Sequence, residues 1–172
     1  MLAAGEGGMI ATGSAELAGR VRDLKSYDGK DFRRPRYNYK LTDIQAAVGA
    51  VQLGRLEGFI RRRREIARRY RAAFDGLKAV LPPDDPEHVY FRFVVDIGSD
   101  AAAFVARARH RGVGCERPVH TPIHRLLGRP GCPAAERAWR QSVSLPLYPS
   151  LSDADLERVV AVVVELIAAS SR

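Results

Sequence analysis

The sequence predicts an α/β protein, and three observations support this. Residues 89–97 read VYFRFVVDI, a β-branched and aromatic run that is typical of a strand. A second short apolar run at residues 143–147 ends before Pro149. Helical patterns with recognisable capping residues stand between these runs and after them. Strands that alternate with helices over residues 89–169 indicate a small α/β domain, and we expect a three-stranded sheet in it.

The N-terminal region reads as only part of a fold. Gly5–Gly8 read GEGG, a turn signal, and Met9–Thr12 form a short apolar run that we predict to be a strand. Ser14 is a good N-cap for a helix over residues 15–25, and residues 26–39 read as a loop. A lone strand leaves its hydrogen-bonding groups unpaired unless a sheet receives it. We therefore expect an exposed strand or arm here, and an upstream part of the fold that this chain lacks.

One long helix of about 35 residues is predicted to follow the loop. Thr42 is a good N-cap, and Gln45 stands where a capping box requires it. Apolar residues then recur in steps of three and four, with Arg63 in the single gap. They are Leu53, Leu56, Ile60, Ala67, Tyr70 and Phe74. A helix of this length is unusual within one globular domain, so we expect it to connect two domains or to lie along an interface.

Capping residues delimit the remaining elements. Asp100 caps a helix that Gly112 ends, and residues 113–119 are predicted as a further strand. Residues 133–141 form a short helix, and Ser152 caps the last one. The predicted core face of that last helix is Leu156, Val159, Val160, Val163 and Ile167.

Composition restricts the class of protein. Hydrophobic residues make up 46% of the 172 residues and charged residues 28%, so a packed core is expected. Two cysteines cannot make a disulfide framework. The first residues have no basic segment followed by an apolar run, and no apolar stretch reaches membrane-spanning length. We therefore expect a cytoplasmic protein without a membrane partner.

The net charge is +8, and the main basic patch is one arginine run, Arg61–Arg64 with Arg68, Arg69 and Arg71. A basic run of this kind can bind nucleic acid through its phosphates. It is also typical of a solvated helix face, with Glu57 and Glu65 as partners for some of the arginines. We favour the solvated face, because no platform of interleaved aromatic residues accompanies the run and a charge run alone is poor evidence for a partner.

Four residues in the second half have the side chains of zinc ligands. They are Cys115, His120, His124 and Cys132. Their spacing, C-x4-H-x3-H-x7-C, does not match a familiar zinc motif. A zinc site is therefore a weaker alternative for this loop.

Five segments, taken in order, resemble one known family. They read GEGGMIAT from Gly5, YNYKLTDIQAAVGAVQLGRLEGFIRRRREIARRY from Tyr37, VYFRFVV from Val89, RPVHTPIH from Arg117 and SLPLYPSLSDADLERVV from Ser144. Together they are similar to the second half of the DegT/DnrJ/EryC1/StrS aminotransferases. The resemblance covers essentially the whole chain.

The resemblance implies the C-terminal portion of a fold-type I enzyme that depends on pyridoxal 5'-phosphate, with the large domain mostly missing. Members are usually homodimers. They typically move an amino group from glutamate or glutamine to a nucleotide-linked keto sugar, for polysaccharides, glycans or antibiotics. On this basis we assign residues 1–40 to the remnant of a large domain, 41–80 to an interdomain helix and 81–172 to a small domain.

The sequence departs from the family at the lysine that forms a Schiff base with the cofactor. In the family this lysine stands five residues before the first glycine of GEGG, which here is the position before Met1. Lys25, Lys30, Lys40 and Lys78 do not occupy it. The resemblance therefore implies no catalytic lysine in this chain, and we expect the chain alone neither to bind the cofactor covalently nor to transaminate.

Several other family site residues have counterparts here. Asn38 matches an asparagine that reaches the cofactor phosphate of the neighbouring subunit, and Lys40 stands where many members have arginine. His124 matches a histidine of the substrate-facing loop. Arg117 and His120 lie close to it in sequence and are candidates for binding the phosphates of a sugar nucleotide.

Three functional hypotheses follow. The chain is a fragment of an active aminotransferase, or a non-catalytic remnant or subunit that complements a separate upstream half, or a basic nucleic-acid-binding module. The fragment hypothesis predicts exposed apolar surface, and therefore self-association of the isolated chain.

Overall fold

The computed structural model describes residues 2–29 and 33–170, which divide into two compact units, Met1–Glu57 and Gly58–Arg172. The helices are α1 (Ala15–Lys25), α2 (Asp43–Gly54), α3 (Leu56–Ala73), α4 (Ala101–His110), α5 (Ile123–Leu126), α6 (Pro133–Gln141) and α7 (Asp153–Ala169). The strands are β1 (Phe93–Asp96) and β2 (Ser142–Leu145). None of the described helices is both long enough and apolar enough to cross a membrane.

The first unit has the two predicted helix starts. The Ser14 side chain accepts a hydrogen bond from the Leu17 amide at 3.2 Å and caps α1. Thr42 and Gln45 form the capping box predicted for α2. The predicted strand at Met9–Thr12 is wrong, because no strand or ladder partner occurs there in the described part of the unit. Met9 is 91% exposed, as expected for an apolar segment that has no sheet to join.

The single helix predicted from residue 41 to about 75 is also wrong. Helix α2 ends at Gly54, and the Arg55 amide caps it by donating to the carbonyls of Gln52 and Leu53. Helix α3 then begins at Leu56. Glycine is a poor helix former, and hydrophobic periodicity cannot reveal a break that leaves the apolar face in phase. The division into residues 1–40, 41–80 and 81–172 stays a prediction.

The second unit is organised around an antiparallel pair of strands. Phe93 pairs with Leu145 and Val95 with Val143. All four side chains are buried, so the two strands bury the same face. Helices α3, α4 and α7 contribute to the core against this face. Their core residues include Tyr70, Phe104 and Leu156, each with 0% exposure.

The predicted third strand at residues 113–119 is reduced to one antiparallel bridge between Glu116 and Ser144. A second bridge joins Val80 to Asp96 at the other edge. The third ladder is short because Pro118 has no amide hydrogen to donate, only two residues after the bridge. The predicted strand at 89–97 is likewise shorter, since Tyr90 has a positive φ of 46° and lies outside the ladder.

The helix signals of the second unit are confirmed. The Asp100 carboxylate accepts from the Ala102 and Ala103 amides at 2.7 and 3.0 Å, and Gly112 follows α4 with a φ of 76°. Ser152 caps α7, accepting from the Asp155 amide at 3.1 Å. Of its predicted core face, Leu156, Val159, Val163 and Ile167 are buried and Val160 packs against them half-buried.

The prediction of a solvated arginine face is wrong for most of the run on α3, although Glu65 does pair with Arg62, at 2.9 Å, as predicted. Arg63 is only 8% exposed, and its Nη1 donates to the carbonyls of Tyr90, Phe91 and Leu147 at 3.0–3.2 Å. Burial lowers the pKa of this guanidinium. Its neighbours on the helix also bind main-chain carbonyls or carboxylates elsewhere in the unit: Arg62, Arg64, Arg69 and Arg71. These groups are therefore already engaged within the chain, which weakens the nucleic-acid hypothesis.

Candidate functional site

Three basic side chains meet beside the end of the sheet in the second unit. Arg92 immediately precedes β1, and Arg117 and His120 lie on the segment that follows the Glu116 bridge. They line one open pocket of about 470 Å³ together with Glu116 and the strand residues Ser144 and Leu145. Arg117 and His120 also border an adjoining hollow against α4.

The charges around this pocket favour an anion. The one carboxylate among the described residues that line the pocket, Glu116, forms an ion pair with Arg109 at 2.9 Å. The other charged side chains in that lining are those of Arg92 and Arg117. Arg92 donates to the Pro118 carbonyl at 2.6 Å, so one end of its guanidinium is fixed. Guanidinium groups with free N–H edges are well suited to phosphate oxygens.

Helix α6 holds the segment that carries these residues. The Trp139 indole donates to the carbonyls of Val119 and His120 at 3.0 and 3.2 Å. Its ring also lies beneath the guanidinium groups of Arg117 and Arg125, at 4.2 and 4.1 Å from the ring centroid. Trp139 had no predicted role, because its partners precede it by 14 to 22 residues and no spacing rule connects them.

His124 is oriented toward α6, and it does not line the pocket with Arg117 and His120. Its Nε2 lies 2.8 Å from a Glu136 oxygen, and the same carboxylate accepts two hydrogen bonds from Arg125 at 2.6 and 2.7 Å. Arg125, and then His124, lower the pKa of Glu136 to about 2. The carboxylate is therefore ionised at neutral pH. Glu136 also went unnoticed in the sequence, where it read only as an acid near a helix start.

The zinc alternative receives no geometric support. Across residues 2–29 and 33–170, no cluster of three or more His, Cys, Asp or Glu side chains is arranged to hold a metal ion. Cys115 is fully buried in the core, and burial raises the pKa of its thiol to about 12. A thiol held neutral in this way is a poor metal ligand.

The remaining predicted site residues lie in the first unit. Asn38 is exposed, and its side chain has no hydrogen bond to another described residue. The Lys40 ammonium pairs with the Asp28 carboxylate and lies 4.4 Å from the Tyr27 ring centroid. The hydrogen bond to Asp28 raises the pKa of Lys40. Lys30 lies outside the described residues.

The loop that carries Asn38 is anchored to α1. The Tyr37 amide donates to the Leu24 carbonyl at 2.8 Å, and the rings of Tyr37 and Tyr39 stack at 5.1 Å. The GEGG turn is built as its glycines predict. Gly7 has a φ of 139°, a backbone conformation that residues with a Cβ rarely adopt, and this favours glycine there.

Comparison with known proteins identifies the class of protein to which this fold belongs. The sequence model of the DegT/DnrJ/EryC1/StrS aminotransferase family matches residues 1–164, and the chain belongs to this family. The family resemblance stated from the sequence is therefore confirmed.

Individual relatives agree with this assignment. The spore coat polysaccharide biosynthesis protein SpsC of Bacillus subtilis (strain 168) is 29% identical over an alignment of 197 positions, covering 96% of this chain and 51% of SpsC. The aminotransferase TlmJ of Streptoalloteichus hindustanus superposes with a TM-score of 0.81 at 32% identity, over 91% of this chain and 46% of TlmJ. DesV of S. venezuelae, solved with a ketimine intermediate, superposes with a TM-score of 0.81 at 29% identity, over 91% of this chain and 45% of DesV.

The chain thus spans about half the length of the relatives it matches. Its mixed helical and sheet architecture is a partial α/β fold of the kind found in aminotransferases that depend on pyridoxal phosphate.

Proposed function

We propose that this chain is the part of a pyridoxal-phosphate-dependent aminotransferase that binds a nucleotide-linked keto sugar, to which glutamate or glutamine gives an amino group. The observation that carries this proposal is the basic pocket lined by Arg92, Arg117 and His120. A sugar nucleotide presents two linked phosphates, and these match a pair of guanidinium groups in charge and in hydrogen-bonding geometry. The name of SpsC, a polysaccharide biosynthesis protein, supports a sugar substrate.

The first unit offers donors of the right chemistry for the phosphate of the cofactor. Asn38 presents an exposed amide, and Lys40 adds a positive charge close by in the chain. Lys40 fits less well, since it must exchange the Asp28 carboxylate for phosphate. When bound, pyridoxal phosphate supplies the electron sink for amine transfer. Asn38 and Lys40 would only hold the phosphate of the cofactor. In a homodimer, this would be the cofactor of the neighbouring subunit.

A complementing half-enzyme is the second candidate. It is favoured by the apolar side chains that the first unit exposes, which include Ile44 at 79% and Val51 at 58%. Apolar surface of this kind is typical of a region that another polypeptide covers.

A binding experiment tests the substrate part of the proposal. Calorimetric titration of the 172-residue chain with the nucleoside diphosphate dTDP should give saturable binding. Arg117→Met should weaken this binding roughly tenfold or more, the effect of losing a charge-assisted hydrogen bond. Arg68→Met, which removes an exposed arginine from α3, is the matched control and should bind as the wild type does. An equal affinity of wild type and Arg117→Met would refute the assignment of the pocket.

A second experiment tests the catalytic part. The chain is expressed together with the sequence that precedes the Met1 codon in the same frame, and glutamate is supplied with a nucleotide-linked keto sugar. The expected result is formation of 2-oxoglutarate that depends on pyridoxal phosphate. If only the separately expressed upstream half restores this activity when mixed with the chain, the complementing subunit is the correct hypothesis.

A further inference from the structure

We propose that Glu136 and Trp139 of α6 are positioning residues, which together set the orientation of the binding loop, defined as residues 117–125. This proposal rests on the proposed function for its ligand, but its structural part can be tested without one. Glu136 and Trp139 are three residues apart and therefore lie on the same face of the helix. Neither belongs to the pocket itself.

The backbone of the binding loop makes few hydrogen bonds to the rest of the unit. Its last ladder contact with the sheet is the pair of hydrogen bonds between Glu116 and Ser144, at 2.7 and 3.1 Å. Among the described residues, its backbone hydrogen bonds beyond that point stay within the loop and its immediate continuation, such as Arg125 amide to Pro122 carbonyl. Side chains must therefore fix where the loop lies.

Trp139 makes two kinds of contact with the loop. Its indole N–H is shared between two successive loop carbonyls, those of Val119 and His120, which fixes the path of the main chain. Its ring face attracts the guanidinium groups of Arg117 and Arg125. The pocket arginine is thus held in place before an anion arrives, which reduces the ordering that binding requires.

Glu136 fixes the second half of the loop. Its carboxylate is ionised at neutral pH and can only accept hydrogen bonds, so the Nε2 atom of His124 must carry a proton. In neutral His124 the Nδ1 atom is then the acceptor. The paired hydrogen bonds from Arg125 to the same carboxylate hold it in this orientation. Glu136 therefore selects the tautomer of the histidine that resembles the family's substrate-facing residue.

Helix α6 is a firm support for these contacts. It runs directly into β2, and the Gln141 carbonyl at its end accepts from the Ile97 amide at 3.0 Å. Residues Val143 and Leu145 of that strand are buried in the core. The orientation of the loop is thereby tied to the sheet through α6, in addition to the hydrogen bond that Arg92, next to β1, donates to the Pro118 carbonyl.

The test uses the 172-residue chain and three variants. Nitrogen-15 NMR at alkaline pH reports the tautomer of His124, and the fluorescence of Trp139, the single tryptophan in the chain, reports titration with dTDP. Glu136→Gln keeps the size of the side chain but removes its charge. Trp139→Phe keeps an aromatic ring but removes the indole donor, so calorimetry replaces fluorescence for this variant. Glu165→Gln is the control, because it removes another arginine-paired carboxylate, 2.6 Å from Arg111 and on α7.

The expected result is a wild-type His124 protonated at Nε2, and a mixture of tautomers in Glu136→Gln. Both Glu136→Gln and Trp139→Phe should weaken dTDP binding roughly tenfold, as expected for one lost hydrogen bond to a charged or ordered group. The control should change neither the tautomer nor the affinity. Retention of the Nε2 tautomer in Glu136→Gln, or unchanged affinity in both variants, would overturn the proposal.

The two proposals fail in different ways. If wild-type protein does not bind dTDP, the proposed function fails, and the His124 tautomer then decides the positioning role by itself. If dTDP binds normally to wild type but the tautomer is mixed there as well, the positioning role fails and the proposed function stands.

Discussion

The two units differ in how their conformations are maintained. In the second unit Tyr70, Phe93 and Phe104 have 0% exposure, whereas none of the described residues in the first unit is buried. The first unit has caps, an anchored loop and a stacked tyrosine pair, and these are local contacts. Because hydrophobic burial is the dominant favourable contribution to folding, we infer that the second unit carries most of the stability of the chain.

The largest expected effect compares an apolar truncation in each unit. Phe104→Ala should lower the free energy of unfolding by about 3–5 kcal/mol, because it leaves a cavity in a packed core. Ile44→Ala, at a position that is 79% exposed, should change it by less than about 0.5 kcal/mol. Urea denaturation measures both values.

A large loss in Ile44→Ala would break this comparison. It would mean that another molecule covers α2 in solution. Sedimentation would then show the self-association that the exposed apolar side chains of the first unit predict.

The next effect concerns the buried arginine of α3. Arg63→Ala should lower the free energy of unfolding, measured by urea denaturation, by about 3 kcal/mol or more. The reason is that it leaves three largely buried carbonyls without their charged donor. Arg68→Ala, on the exposed face of the same helix, should be neutral within about 0.5 kcal/mol. Equal losses in the two variants would show that helix propensity, and not the carbonyl contacts, determines the stability of α3.

A smaller effect comes from equivalent caps in the two units. Ser152→Ala removes the cap of α7 and should lower the global free energy of unfolding by about 1 kcal/mol. Thr42→Ala removes the cap of α2, and we expect its effect mainly in faster hydrogen exchange of the α2 amides, because local opening does not require the core to unfold. A global loss in Thr42→Ala as large as that in Ser152→Ala would contradict the proposed separation.

The smallest effect is a pH dependence within the second unit. The pKa of Glu136 is lowered from 4.5 to about 2, so its contribution to stability is present above pH 4.5 and is lost as the pH falls toward 2. Glu136→Gln should therefore flatten the acid side of the stability curve in that range. The pKa values of Asp100 and Asp153 are also lowered, so in this variant these two groups should still make the free energy of unfolding fall at acid pH. A Glu136→Gln curve with the shape of the wild type would show that Glu136 does not stabilise the fold.

What the sequence could predict was local. The caps at Thr42, Asp100 and Ser152 need only residues two or three positions away, and the structure confirms each of them. The break at Arg55 was invisible because the apolar periodicity continues across it.

Contacts between distant residues were beyond sequence reasoning. Arg63 finds its acceptors 27, 28 and 84 residues away, so the run looked like a solvated face. The same holds for the site. The resemblance pointed to His124, and nearness in sequence to Arg117 and His120, but neither could show that Trp139 and Glu136 hold the loop that carries them.

The contacts of α3 have a consequence for how the protein can be altered. Tyr70 donates to the Pro146 carbonyl at 2.6 Å, Arg71 to those of Pro82 and Pro83, and Arg64 to that of His88. A main-chain carbonyl is the same group whatever side chain its residue bears. The helix therefore binds mainly the backbone of these connecting segments, and the Arg71 ion pair with Asp84 at 3.5 Å is a contact that does depend on a side chain. Segments of different sequence but equal backbone course should be interchangeable there, which makes them suitable places to graft new surface residues.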